Sequence, residues 1–495
     1  MSTIIHRLSA LSRPIVVAWA TALLSTSACG GKPADSPQGS VKPVARKSGA
    51  QGREKLAITV YNQGFGLVRD VRRVKLGEGR VELEFADVSA HIQPETVHVQ
   101  ALGQDDPLQV LEQNYRYDLL TPEKLLEKYE GKQVTVYRYN EKTGKDEKLS
   151  AKVLAVKGGP ILEIDGEVTY DFPGRIAFPG VPSNLVSKPS LVWLLDSKVA
   201  EQKLEVSYLT RELGWKADYV FVIDAKDAHG DLTGWVTLSN QSGTDYEHAR
   251  LKLVAGDVQR LAPDRGGVTA DRLVRVTESS NHEAGFKEES FFEYHLYTLQ
   301  RPTTLLDQEQ KQVTLLEAQG AKVKKQLIYY GAQHYFRGRY GQVIANQKVG
   351  VYLKLKNSKQ SGLGMPLPAG TVRVYKSDSS GARQFIGEDH IDHTPKDEEV
   401  RIKMGEAFDV VGERKQRNWT SLGRCGSESE WEVELRNHKD EAVSVQIFEP
   451  VGGDWEVTQS SHRPKKEDAR TLVFDVQVPA NGKTKVSYRV RVRWC

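Results

Sequence analysis

Between residues 388 and 397 the chain gathers Glu388, Asp389, His390, Asp392, His393 and Asp397. On a strand, Glu388, His390 and Asp392 would share one face, because successive side chains point to opposite sides. Two carboxylates around an imidazole can take a divalent cation or stabilise the imidazolium by proximity, which makes Glu388, His390, Asp392 and His393 candidate metal ligands. The same residues also read as a solvated polar strand face near a turn, since no cysteine or third histidine completes a donor set. Arg489, Arg491 and Arg493 form a second group. Three guanidinium groups on one strand face could hold an anionic polysaccharide or the acidic strip of a partner protein. The alternative is a solvated face that resists edge pairing.

A hydrolase acting on envelope glycans or peptides would be sought at Glu293, Tyr294 and His295 or in the 388–397 cluster, because a glycosidase needs only two suitably spaced carboxylates. Other signatures are missing: there is no Gly-x-Ser-x-Gly elbow and no His-Glu-x-x-His. Gly482-Lys483-Thr484 has Gln477 where a phosphate loop needs its first glycine, and Gly64-Phe65-Gly66 is followed by Arg69 where a dinucleotide loop has its third. No cofactor is therefore expected, and the balance of motifs favours a binding or scaffolding protein over an enzyme.

The cysteines carry the address. Three occur, Cys29, Cys425 and Cys495. Residues 15–28 are apolar and small, follow Arg7 and Arg13, and are too few to span a bilayer but right for the core of an export signal. Ser25-Thr26-Ser27-Ala28-Cys29 resembles the lipobox of bacterial lipoproteins, with Thr26 where leucine is usual. Ordinary secretion with cleavage nearby is the other reading. If Cys29 takes lipid, Gly30 after it favours the outer membrane, on its periplasmic or cell-surface face. An even pair then remains in an oxidising compartment. A Cys425–Cys495 disulfide would close a loop of about 70 residues and contribute roughly 4 kcal/mol, with two free thiols as the alternative. Strict alternation places Cys495 on the arginine face, which makes the bond a surface staple.

Residues 29–54 are rich in Gly, Pro, Ser and Lys and read as a disordered tether. Fully drawn out, such a segment reaches roughly 80–90 Å. Lys and Arg number 69 against 65 acids, and without Arg7 and Arg13 the balance is 67 to 65. Near-neutrality gives no general pull toward nucleic acid or anionic lipid, so membrane attachment rests on Cys29.

Beyond the tether, period-two alternation dominates. Val81, Leu83 and Phe85 oppose Glu82 and Glu84, and Val486, Tyr488, Val490, Val492 and Trp494 oppose Lys485, Ser487 and the three arginines. Trp215, Ala217, Tyr219, Phe221 and Ile223 share a face, which makes Trp215 a buried sandwich tryptophan and not a sugar platform. Thr121-Pro122-Glu123 opens a short helix. Residues 303–328 have helical propensity, but Gly320 interrupts them and β-branched residues flank it. Residues 262–290 and 411–430 break the rhythm and read as long loops. The expected architecture is all-β, with several antiparallel Ig-like β-sandwich units: a signal at 1–28, the tether at 29–54, an N-terminal β unit with a helix at 55–130, a small inserted SH3-like barrel at 131–182, and sandwiches at 183–360 and 361–495.

Several blocks resemble one bacterial family catalogued as domain of unknown function 4139. They are ITVYNQGFGLVRDVR at 58–72, FADVSAHIQPETVHV at 85–99, VSYLTRELGWKADYVFVID at 206–224, LKLVAGDVQR at 251–260, FFEYHLYTLQRPTTLLDQEQKQVTLL at 291–316, MPLPAGTVRVY at 365–375 and FIGEDHIDHTPKDEEVRIKMGEAFDVV at 385–411. The resemblance implies an exported or envelope-associated β protein and supplies no catalytic residues. The partners it leaves open are a membrane reached through Cys29 and a protein or envelope polysaccharide; nucleic acid is not expected.

Overall fold

The computed structural model describes residues 43–103, 108–141, 143–182, 184–260, 286–340 and 344–495. The expected signal, Cys29 and most of the 262–290 stretch lie outside them. Among the described residues the strands form four sheets, of four, five, eight and thirteen strands, with one α-helix. The chain is all-β, as its alternation predicts. The five-stranded sheet is wholly antiparallel, and the other three are mixed. Parallel pairs join Val44–Ser48 to Gly79–Ala86, Arg53–Tyr61 to Tyr246–Ala255, Leu213–Ile223 to Gly370–Ser377, and the end of Glu309–Tyr330 to Val443–Pro450. Such pairs need crossovers, which a strand pattern does not reveal.

Regular structure starts inside the expected tether. Val44–Ser48 is an edge strand with all but Ser48 exposed, so it has no apolar alternation to announce it. The segment is held by polar contacts: Arg72 Nη1 donates to the Ser48 carbonyl at 3.0 Å, and the Ala50 amide donates to Asp87 at 3.0 Å.

The helix Pro122–Lys128 forms where expected, with Thr121 Oγ1 accepting from the Lys124 amide at 3.2 Å. Leu126 and Tyr129 pack onto the core of the five-stranded sheet built from Val134, Val136, Ala151, Val153 and Leu162. That sheet corresponds to the expected barrel but is open. Its edge strands, Glu167–Tyr170 and Arg175–Ala177, pair only with inner neighbours, and four and three residues offer too few rungs to close it.

Three long strands organise the rest: Glu309–Tyr330, Ile344–Lys356 and Glu399–Ser421. Each serves two apolar cores in turn. Leu315, Val323, Leu353, Leu355, Val400 and Ile402 belong to the first core, with Trp193, Trp215 and Tyr219. Leu327, Tyr329, Val349, Ala407 and Val410 belong to the second, with Trp431, Val486 and Tyr488. Both stretches 183–360 and 361–495 thus contribute to both cores. Gly320, at φ +63°, is the one residue in its run that must be left-handed; its amide donates to Asp231 at 2.8 Å where the ladder slips register. The 303–328 segment is therefore strand and not helix: Thr303–Leu305, a turn at 306–308, and the long strand that starts at Glu309. Residues 411–430 are strand as well: Glu399–Ser421 turns back into Gly426–Asn437.

Buried charge sits inside the second core. Arg414 and Glu449 are both fully buried and joined at 2.6 Å, and the Tyr488 hydroxyl donates to the same carboxylate oxygen at 2.8 Å. Arg414 also donates to Gln347 Oε1 at 3.1 Å and lies over the Tyr329 ring.

Candidate functional site

Where the first core gives way to the second, the inward faces of the long strands leave a cleft of about 240 Å³. Its floor is apolar: Ile223, Val351, Leu353 and Met404. Lys325 holds an inward register position between buried Val323 and Leu327, and it can be charged there only because the cores part at that point. Asp227, in the turn after Leu213–Ile223, adopts φ +56°, a left-handed conformation that aspartate tolerates. Its two oxygens take Lys376 at 2.5 Å and Lys325 at 2.9 Å. Burial acts to raise the Asp227 pKa, but the hydrogen bonds from the two lysines outweigh it and hold the carboxyl below its usual range. Two ammonium groups on one carboxylate leave that rim positive. The opposite rim is balanced, with Glu406 paired to Lys348 at 3.1 Å.

The remaining wall is Ile386, on the strand Arg383–Ile391. That strand approaches Glu399–Ser421 so closely that a Cβ at Gly387, φ +152°, would stand 2.7 Å from the Met404 carbonyl. Beside the cleft the surface is aromatic. Phe408 is 94% exposed and stands where pairing with Ile344–Lys356 breaks between Lys348–Val411 and Gly350–Glu406. It is two residues from Glu406, within about 7 Å along the chain. Phe385, next to Ile386, is 55% exposed.

The residues singled out in the sequence go elsewhere. Glu388 pairs with Arg373 at 3.2 Å, and Asp389 accepts the amides of His390 and Lys403. His393 Nδ1 accepts the Ala369 amide at 3.1 Å, and its Nε2 lies 3.3 Å from the Asn62 amide. With Nδ1 accepting, Nε2 carries the proton of the neutral ring and faces the Asn62 side-chain nitrogen, itself a donor, so the Ala369 contact is the hydrogen bond that holds the ring. His390 and Asp392 are exposed. Among the described residues no three His, Cys, Asp or Glu side chains gather closely enough to hold a metal ion.

Two arginines of the second group are already matched. Arg489 pairs with Glu430 at 2.8 Å, and Arg491 with Glu428 at 3.0 Å and Glu456 at 2.9 Å. Register explains it, because Glu428, Glu430 and Glu434 lie directly opposite Arg491, Arg489 and Lys485. His295 pairs with Glu288 at 2.8 Å, while Glu293 is exposed in the hairpin turn. Trp215 is buried, donates to the Val254 carbonyl at 3.2 Å and meets Tyr297 edge-on. Cys425 and Cys495 form a disulfide with Cα atoms 5.3 Å apart; Cys495 is exposed and Cys425 half-buried.

The cleft was not anticipated. Its charged residues come from positions 227, 325, 376 and 406, and no local motif links them.

A family model described as a domain of unknown function (DUF4139) matches residues 204–495, more than half of the chain. The cleft residues and the disulfide fall inside the match, whereas the blocks at 58–72 and 85–99 lie before it. No curated protein matches the chain.

Proposed function

The chain belongs to the DUF4139 family, and from that premise we propose that it is a lipid-anchored protein of the bacterial cell envelope that binds a partner protein. The observation that carries the reading is Phe408. It is 94% exposed on a strand irregularity and, with Phe385 at 55%, it stands on the strands that line a cleft with an apolar floor, an apolar grouping that suits a partner's side chain. The cleft has room for one large apolar side chain. Its Lys325–Asp227–Lys376 rim suits a partner with a carboxylate next to that side chain.

A hydrolytic reading has two carboxylates in the same cleft, Asp227 and Glu406. Both are bonded to lysine, and Asp227 is shifted down, the wrong direction for a general acid working near neutrality.

Placing a photo-crosslinking amino acid at position 408 in living cells should trap one discrete partner, and Phe408→Glu should weaken its capture at least tenfold. Stability should change by no more than about 0.5 kcal/mol, because the ring touches little. A Phe408→Glu protein that captures the partner as well as wild type overturns the assignment of the surface. The anchor is tested separately: Cys29→Ala should move the protein from the detergent-extracted membrane fraction to the soluble one, and a wild type already soluble overturns that part.

A further inference from the structure

The outward face of the three long strands, over the first core, carries a field of cations assembled by register. Lys324 lies opposite Lys354, and Lys354 opposite Arg401. In the next row Tyr352 lies opposite Lys403; one step the other way Lys356 lies opposite Glu399, with Lys322 beside them on the first strand. Their chain neighbours Val323, Leu353, Leu355, Val400 and Ile402 are buried, so these side chains lie on the outward face, with Lys354 and Tyr352 half-buried among them. Neighbouring strands are about 4.8 Å apart and same-face residues about 6.8 Å, which makes the field a flat, dense array.

Six cations share this field with one carboxylate at a register position, Glu399, which pairs with Lys354 at 2.6 Å. At the margins Asp231 and Asp389 are occupied with backbone amides. The contrast with the 428–434 acids opposite Lys485, Arg489 and Arg491 is direct: there each cation has a facing carboxylate, and here Lys324, Lys354 and Arg401 face one another in a row, an arrangement that destabilises a sheet.

We propose that this field binds an acidic polysaccharide, whose anionic groups sit between Lys324, Lys354 and Arg401. The chemistry favours that class over its rivals. Single-stranded nucleic acid calls for exposed aromatic platforms, whereas Tyr330 and Tyr352 are half-buried at the foot of the field and Phe448 is buried. A lipid surface calls for apolar side chains that insert, and the field offers none. The inference is independent of the cleft and of its partner.

The test uses the full chain carrying Cys29→Ala, so that no anchor contributes. Polygalacturonate is the probe, with dextran, single-stranded DNA and phosphatidylglycerol vesicles as comparisons. Polygalacturonate should bind at low salt and release as salt rises, with dextran inert. The Lys324→Gln, Lys354→Gln, Arg401→Gln triple variant should bind at least tenfold more weakly while its melting temperature stays the same or rises, because opposed like charges have been removed. Arg489→Gln with Arg491→Gln should leave binding unchanged. The proposal is overturned if the triple variant binds like its parent, if it melts earlier, or if DNA or vesicles hold the protein more tightly than polygalacturonate at the same salt.

Discussion

Replacing Arg414 by methionine should destabilise the protein by about 3–5 kcal/mol in urea or guanidinium unfolding at pH 7, because it leaves Glu449 as a buried charge without its cation. Arg414 is the centre of the second core's polar cluster. It bonds Glu449, Gln347 and the Tyr330 carbonyl and lies over two tyrosine rings. The site has no slack: a Cβ on Gly331 would stand 1.9 Å from Glu449 Oε2. Removing the arginine therefore cannot be compensated by swinging the carboxylate to water.

The loss arises from the charge itself, because without the arginine the buried carboxylate keeps only the Tyr488 hydroxyl to solvate it. Adding Glu449→Leu should restore most of the loss, leaving mainly the Tyr488 hydroxyl without an acceptor, at about 1–3 kcal/mol. A single variant that costs less than about 1 kcal/mol would show that the cluster relaxes and that the pair is not structural.

Why Arg414 escaped notice in the sequence bears on how much of the molecule is legible there. Alternation is a one-body signal, and it worked wherever one face is apolar: Val486, Tyr488, Val490 and Val492 are buried as their spacing requires, and so is Trp215. In 411–421, by contrast, Gly412, Arg414 and Gln416 occupy one face, so a strand wrapped around a buried charge looks like a polar loop. The edge strand Val44–Ser48 was hidden for a related reason, since its partners are a backbone ladder and the Arg72 guanidinium.

Function was less legible than fold, because every functional feature depends on pairing between distant strands. Arg489, Arg491 and Arg493 stand out as a run, yet Glu428 and Glu430, some sixty residues away, neutralise the first two. Lys324, Lys354 and Arg401 do not stand out at all, and only register sets them side by side. Net charge near zero concealed both facts by averaging them. The 388–393 cluster failed in the opposite way: adjacency in sequence did not become convergence in space, because Glu388, His393 and Asp389 found separate partners in Arg373, Ala369 and Lys403 while His390 and Asp392 are exposed.

Reducing the Cys425–Cys495 bond, or replacing both residues by serine, should lower stability by roughly 4 kcal/mol, the chain-entropy cost of opening a loop with a sequence separation of 70. The native structure around the bond should hardly change. The last rung of the ladder between Gly426–Asn437 and Gly482–Arg493 is Gly426 with Arg493, and the Trp494 amide donates to the Cys425 carbonyl at 2.9 Å. The disulfide sits just past that rung and closes a junction already closed by hydrogen bonds, so its contribution lies in the unfolded chain, which it keeps compact. Two consequences separate this account from a bond that holds the fold together. The far-ultraviolet circular dichroism of the reduced protein should match that of the oxidised one, and the denaturant slope m should increase on reduction, because a freer unfolded chain exposes more surface. Reduction that unfolds the protein outright would mean that the bond maintains the native C-terminal hairpin. A loss below about 1 kcal/mol would mean that the unfolded chain gains little freedom when the loop opens.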